Sequence, residues 1–171
     1  TRNQNGKTKI YATLFNLTPV ARQVVSLFSA IANAKEIELI NRIEGKFDIF
    51  ADEDMIKTVL RNLISNAIKF TYTGGQVELS LADSGDYWTI YVKDNGKGIP
   101  KDLQAHLLKS DEYITTYGTH NEKGSGLGLI LCRDFIRMNK GKLHFYSQEG
   151  IGTTFYFTIP KASSSAEAVS R

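Results

Sequence analysis

The sequence predicts an α+β fold, a two-layer sandwich in which a mixed β-sheet carries helices on one face. Two stretches repeat apolar residues every three to four positions, first at Val20, Val24, Leu27, Phe28 and Ile31, then at Ile56, Val59, Leu60, Leu63, Ala67 and Phe70. That is the spacing of a helix with one buried stripe. Two pairs of strand-like segments are joined by turn residues: 76–81 with 87–93 around Asp83-Ser84-Gly85-Asp86, and 142–147 with 154–159 around Gly150-Ile151-Gly152. The 171 residues fit one domain, long enough to bury roughly two-thirds of its unfolded surface.

The elements follow in order. Residues 1–6 are polar and read as a flexible N-terminal remnant, 7–161 as the folded domain, and the small polar residues 162–171 as a disordered tail or linker. A short strand at 9–15 leads to a helix with Thr18 as its cap and Pro19 at its first position. Residues 36–43 and 47–51 read as strands joined at Glu44-Gly45, leading into the second helix. In the hairpin that follows, Trp88, Ile90 and Val92 share one face, so Asp94 falls at a strand end. Pro100 suits the first turn of a helix. Residues 101–123 are polar, contain Gly118, lack a stripe beyond Leu108 and read as a mobile lid. Leu127, Ile130, Leu131, Phe135 and Met138 then mark a helix opened by glycines, and the last two strands complete the sheet.

Three segments carry chemistry. On the second helix, Asn62, Asn66 and Lys69 form a polar row beside the apolar stripe, since about 100° of rotation per residue brings them into a narrow arc. Asparagine is a poor helix former because its amide competes for the backbone. The row fits either a solvated face or a ligand edge, in which Asn66 offers an amide oxygen to Mg²⁺ and Lys69 meets a phosphate. One amide suffices, since Mg²⁺ keeps several waters and takes its other ligands from phosphates. The segment Asp94-Asn95-Gly96-Lys97-Gly98-Ile99-Pro100 fits either an ordinary turn or a base-recognition loop. A carboxylate at Asp94 accepts a hydrogen bond from the adenine amine, whereas guanine would oppose it with a carbonyl oxygen. Gly96 and Gly98 would let backbone approach the base or adopt positive φ. In Gly124-Ser125-Gly126-Leu127-Gly128-Leu129, glycines open a helix, where free N–H groups and the helix dipole favour phosphate. The pattern is neither the dinucleotide fingerprint, since Leu129 takes the third glycine position, nor a P-loop, since no Gly-Lys-Ser/Thr occurs.

Composition narrows the function classes. Lys+Arg 21 against Asp+Glu 18, a formal net charge of +3, is too balanced for a nucleic-acid footprint. A hydrophobic share of 42% with no apolar run of membrane-spanning length points to a globular piece. The single Cys132 excludes an internal disulfide and, lying in an apolar helical stretch, reads as a small buried residue in a reducing compartment, so a cytoplasmic location is expected. No signal-peptide pattern opens the chain, and it reads as an excised fragment with domains on either side.

Together the segments resemble the ATP-binding catalytic domain of two-component sensor histidine kinases, within the Bergerat-fold ATPases. Asn62 to Phe70 resembles the N box, Asp94-x-Gly96-x-Gly98 the first glycine box, and Gly124-x-Gly126-x-Gly128 the second, with Gly152, Thr153, Thr154 and Phe155 similar to the closing Gly-Thr-x-Phe. The resemblance spans residues 15–160. It implies ATP and Mg²⁺ as cofactors, Asn62, Asn66 and Lys69 as the catalytic group, and Asn66 as metal ligand. Nucleotide contacts are implied for Asn66, Lys69, Phe70, Asp94, Gly96, Gly98, Ile99, Lys123, Gly124, Ser125, Gly126, Leu127, Gly128, Leu129 and Thr154. Residues 116–124 resemble the lid of hybrid kinases. Read from the residues, the stretch 101–123 fits either a lid whose closing brings Lys123 or Lys109 to the γ-phosphate or a solvated loop with incidental lysines. The chain departs from the family where His106-Leu107-Leu108 stands in place of a lid phenylalanine.

The resemblance also separates kinase from hydrolase. Bergerat ATPases that hydrolyse ATP carry a glutamate one turn before the metal-binding asparagine. Here that position is Asn62, whose neutral amide cannot accept a proton from water. Phosphoryl transfer needs mainly positioning and charge neutralisation. The resemblance implies as acceptor a histidine followed by an acidic residue on a separate helical-hairpin dimerisation domain; His106, His120 and His144 are followed by Leu107, Asn121 and Phe145, so none matches that pattern. A response regulator or receiver domain is the implied downstream partner, nucleic acid is not a partner, and the fragment alone is expected to be monomeric. Two rival functions stay open: a nucleotide-sensing interaction module without transfer activity, and an ATP hydrolase.

Overall fold

The computed structural model describes residues 3–4, 7–108 and 128–161. Its elements run β1 (Asn3–Gln4), β2 (Lys7–Thr8), β3 (Thr13–Asn16), α1 (Leu17–Ala34), β4 (Glu38–Asn41), β5 (Asp48–Ala51), α2 (Glu53–Phe70), β6 (Gln76–Asp83), β7 (Tyr87–Asp94), α3 (Lys101–Gln104), α4 (Gly128–Met138), β8 (Leu143–Gln148) and β9 (Gly152–Pro160). Five strands form the main sheet in the order β4-β6-β7-β9-β8, with β4 parallel to β6 and the other neighbours antiparallel. The sheet is therefore mixed, as predicted. A separate antiparallel pair, β3 with β5, lies outside it, and β1 pairs with β2 where the sequence suggested an unstructured remnant. The expected tail at 162–171 and the lid beyond residue 108 lie outside the described residues.

One face of the sheet is buried through Val77, Leu79, Ile90, Val92, Phe155, Phe157 and Ile159, and joins the apolar sides of α1, α2 and α4 in one core. The other is polar and aromatic, with the Tyr156 ring stacked on Tyr91 at 5.5 Å and on His144 at 5.2 Å between centroids. In α2, the central helix, Met55, Ile56, Val59, Leu60, Leu63, Ile64, Ala67 and Ile68 are all buried, a wider stripe than predicted. The reason is its place between α1 and α4, with β7 beneath it. Asp52 caps its start by accepting from Met55 N at 3.2 Å. At its other end the buried Lys35 ammonium donates to the carbonyls of Ile68 and Lys69, both at 2.9 Å, a cation on the negative end of the helix dipole.

Three local expectations need correction. The cap of α1 is Asn16, not Thr18: its Oδ1 accepts from Thr18 N at 3.2 Å and also from Phe47 N at 3.0 Å. Pro19 consequently sits at the third helical position, still among the N–H groups that need no helical acceptor. Leu27 and Ile31 are 58% and 56% exposed, because α1 turns a line through Leu17, Ala21, Val24, Phe28 and Ala32 to the core. Small alanines allow that close approach and leave the larger residues outside. In α4 the buried line is Cys132 and Ile136, with Leu131 exposed, about one residue round from the predicted stripe. Cys132 is fully buried, as expected, and burial pushes its thiol pKa up to about 12, so it is an inert thiol. Pro100 stands at the N-cap position of α3, one place ahead of the first turn in which the sequence placed it, and makes no side-chain capping bond.

Candidate functional site

A cavity of about 210 Å³ opens between the C-terminal half of α2, the loop after β7, the segment through α3 to Leu108, and the start of the described part of α4. From α2 it takes Asn62, Ser65, Asn66, Lys69 and Phe70, which fall on one side because they recur at helical spacing. Asp94 comes from the last residue of β7, and Lys97, Gly98, Ile99 and Pro100 from the loop that follows.

Asp94 is only 7% exposed, and its environment is asymmetric. Oδ1 accepts from Gly96 N at 2.9 Å and from Thr153 N at 3.2 Å. With Oδ1 doubly engaged, Oδ2 is the oxygen left to meet a ligand. Burial raises the carboxyl pKa from 3.8 to about 6, against the lowering effect of the two backbone donors.

The glycines around Asp94 make room for protein backbone. A Cβ on Gly96 would lie 2.0 Å from the Phe70 carbonyl oxygen, and one on Gly98 would lie 2.2 Å from that of Gln148. Gly98 also has φ +70°, the left-handed region favoured by glycine, so the expectation of positive φ holds there. Gly96 packs against the C-terminal end of α2, where its lack of a Cβ admits the Phe70 carbonyl. Lys97 N donates to Phe70 O at 2.9 Å and Gly150 N donates to Lys97 O at 2.7 Å, which ties the loop to α2 on one side and to the β8–β9 turn on the other.

At the opposite side of the cavity, Asn62 donates through Nδ2 to Thr58 O at 2.9 Å within its own helix. Its Oδ1 lies where a Cβ on Gly128 would come within 3.0 Å, so glycine at 128 lets α4 approach α2 at this residue. Asn66 and Lys69 lie along the same edge, and Leu129 lines the cavity from α4. Lys123, Gly124, Ser125, Gly126 and Leu127 lie outside the described residues, as do Lys109 and the segment 116–124.

One expected contact sits on the wrong side of the sheet. Thr154 pairs with Lys93 and Tyr146 on the face away from the helices, whereas Thr153 lines the cavity and donates to Asp94. Successive strand residues alternate in direction, so misplacing a contact by one residue reverses its face.

Residues 51–163 match the family described as histidine kinase-, DNA gyrase B-, and HSP90-like ATPases. The chain belongs to this ATPase family. Among its curated relatives is the adaptive-response sensory kinase SasA of Crocosphaera subtropica, 30% identical over 161 residues, which make up 93% of this chain and 42% of the relative. The chain thus spans about two-fifths of that protein's length. Among solved structures, the nucleotide-free catalytic domain of the histidine kinase ThkA superposes with a TM-score of 0.75 at 30% identity, covering 90% of this chain and 98% of that one. Full-length ShkA in complex with AMPPNP gives a TM-score of 0.75 at 28% identity, covering 90% of this chain and 32% of ShkA. This ATPase-family chain corresponds to the ATP-binding catalytic domain of sensor histidine kinases, and the mixed sheet with helices on one face is the architecture of those domains.

Sequence motifs missed part of the wall in this member of the family. Leu103, His106, Leu107, Leu108 and Phe155 line the cavity, and Leu107 and Leu108 also pack on the core. The departure at His106-Leu107-Leu108 therefore leaves the wall apolar, with leucines supplying the surface. Ser147 was also missed: its Oγ lies 2.7 Å from Thr153 Oγ1 and accepts from Ile99 N at 2.8 Å, while Gln104 Nε2 donates to Ile99 O at 2.7 Å. These residues brace the loop around Asp94. Their types, Ser, Thr and Gln, are too common to signal a role without the pairing of β8 with β9.

Proposed function

We propose that this domain binds Mg²⁺-ATP and transfers its γ-phosphoryl group to a histidine on a separate helical-hairpin domain, in a two-component signalling pathway. The observation that carries the proposal is the convergence on one cavity of Asp94, Asn66 and Lys69, with Asn62 where a hydrolytic member would hold a general base. Asp94 Oδ2 would accept from the adenine amine, and the Leu107, Leu108 and Phe155 side chains would exclude water around the base. The donor set fits a metal that takes few protein ligands: Asn66 would hold Mg²⁺ by its amide oxygen. Bound there, Mg²⁺ would neutralise phosphate charge as it develops. Lys69 would meet phosphate oxygens, as would Lys123 and the backbone of Gly124 to Gly128. Asn62 would support this end of the site, since its amide cannot deprotonate a water.

Transfer requires an acceptor histidine in line with the γ-phosphate, and a flanking hairpin would supply it. We further propose a response regulator or receiver domain downstream, as support from ThkA, which has been solved in complex with its response regulator TrrA, suggests. Among the described residues no helix is long and apolar enough to cross a membrane. We propose that the domain works on the cytoplasmic side of a membrane-anchored sensor.

Calorimetric titration with a non-hydrolysable ATP analogue, with and without Mg²⁺ and with the GTP counterpart as control, tests the site. Adenine-selective binding strengthened by Mg²⁺ is expected. Asn66→Ala should lose the Mg²⁺ enhancement, about tenfold in affinity, the scale of one hydrogen bond or ligand contact to a charged group. Equal Mg²⁺ enhancement in wild type and variant would remove Asn66 as the ligand. Labelled phosphate reaching a histidine hairpin supplied in trans is the result expected of a kinase. Binding without transfer would favour the sensing module, and steady phosphate release a hydrolase.

A further inference from the structure

Arg133 has no part in the machinery above, yet it is only 7% exposed and lies on α4 outside the cavity lining. Its Nε and Nη2 donate to Asp134 Oδ1 at 3.0 and 2.9 Å, and its Nη1 donates to the Leu108 carbonyl at 3.0 Å. The Asp134 side chain is half exposed, so it aims the guanidinium from the surface inward. A planar guanidinium fixed on one side presents its remaining donors in a set direction, which a flexible ammonium does not.

The backbone that receives the bond is unusual. Leu108 has φ +66°, a left-handed conformation that a leucine adopts only under constraint. Leu108 and its neighbour Leu107 form the apolar wall of the cavity and pack on the core. Among the described non-glycine residues lining the cavity, Leu108 is the one with a left-handed φ, and the arginine holds its carbonyl.

We propose that Arg133 is a positioning residue for nucleotide binding: its bond to the Leu108 carbonyl keeps the Leu107–Leu108 wall closed against the nucleotide. The proposal rests on the ATP site argued above and adds a residue to it. Among the described residues, Arg133 reaches the site through the Leu108 carbonyl and is not itself part of the cavity lining.

The test is a double-mutant cycle on the full chain, read as affinity for a non-hydrolysable ATP analogue with Mg²⁺. Arg133→Met, which keeps the apolar stem and removes every donor, is expected to weaken binding about tenfold. In a Leu108→Gly background the same change should cost about threefold or less, because glycine takes φ +66° without constraint. An arginine that merely packs α4 would lower thermal stability equally in both backgrounds and leave the affinity of the folded protein unchanged. That result would overturn the proposal, as would an equal affinity loss in the two backgrounds. Should Arg133→Met fail to fold, Asp134→Asn at its half-exposed position carries the test, with a weakening of about threefold expected and unchanged affinity overturning the idea. No binding by the wild-type chain would overturn the nucleotide site, and this role with it.

Discussion

Asp94→Asn is expected to weaken ATP binding by roughly a hundredfold or more, because a buried site built to accept a hydrogen bond rejects a ligand once its acceptor is lost. Asparagine keeps an oxygen for Gly96 N and Thr153 N, so its NH₂ takes the place of Oδ2 and opposes the adenine amine, donor against donor. Alanine would be a poorer test, since it leaves two buried backbone N–H groups without an acceptor and confounds binding with folding. Asparagine also removes the cost of a buried charge. Urea denaturation at pH 8 should therefore find the variant as stable as wild type or more so. Unchanged affinity would remove the adenine assignment, whereas loss of the folded state would mean that the charge itself holds the loop.

The same carboxylate gives binding and stability opposite pH dependences. Folding raises the Asp94 pKa from 3.8 to about 6, so between these values the native state holds a proton that the unfolded chain has released. This group's contribution to stability is full below 3.8 and is lost as pH rises through about 6, a swing of about 3 kcal/mol in total. Binding runs the other way. With Oδ1 committed to two N–H donors, the proton goes to Oδ2 and turns the ligand's acceptor into a donor. Affinity should be flat above about pH 7 and fall by up to tenfold per unit below about 6. Calorimetric titration across pH 5–8 reads this directly, and Asp94→Asn should flatten the profile.

Gly98→Ala is expected to destabilise the domain by at least ~3 kcal/mol and to abolish nucleotide binding in whatever remains folded. Two effects add: the left-handed φ of +70°, and a Cβ placed 2.2 Å from the Gln148 carbonyl oxygen, a backbone atom that no rotamer change can move. Relief means shifting the β8–β9 turn, which Gly150 N ties to Lys97 O beside the cavity. Gly85→Ala separates the two effects. It has a similar φ of +82° but nothing within 4 Å of the added carbon, so it should cost only about 1 kcal/mol. Equal losses at the two positions would show that backbone conformation alone matters and that the contact at Gln148 relaxes freely.

Much of this was legible in the sequence because it depends on local periodicity. The hairpin of β6 and β7, the central helix α2 and the mixed sheet follow from alternation, helical spacing and turn residues close together in the chain. The polar edge of Asn62, Asn66 and Lys69 and the strand-end position of Asp94 have the same origin. Apolar spacing was less informative for α1 and α4. It identified the helices but not which line of residues turns inward, since Ala21, Ala32 and Cys132 win the core over larger neighbours by allowing helices to approach.

What the sequence by itself determined is the long helices, the strands of the main sheet and the residue types that suit ATP, each through a pattern a few residues long. What only the tertiary structure decided is how distant segments meet: Thr153 rather than Thr154 beside Asp94, Ser147 and Gln104 behind the loop, Gly96 against Phe70, and Arg133 on the Leu108 carbonyl. Those contacts turn on strand register and helix rotation. One residue of register reverses a face, and one residue of helical rotation moves a side chain by about 100°, while the patterns that mark a strand or a helix barely change.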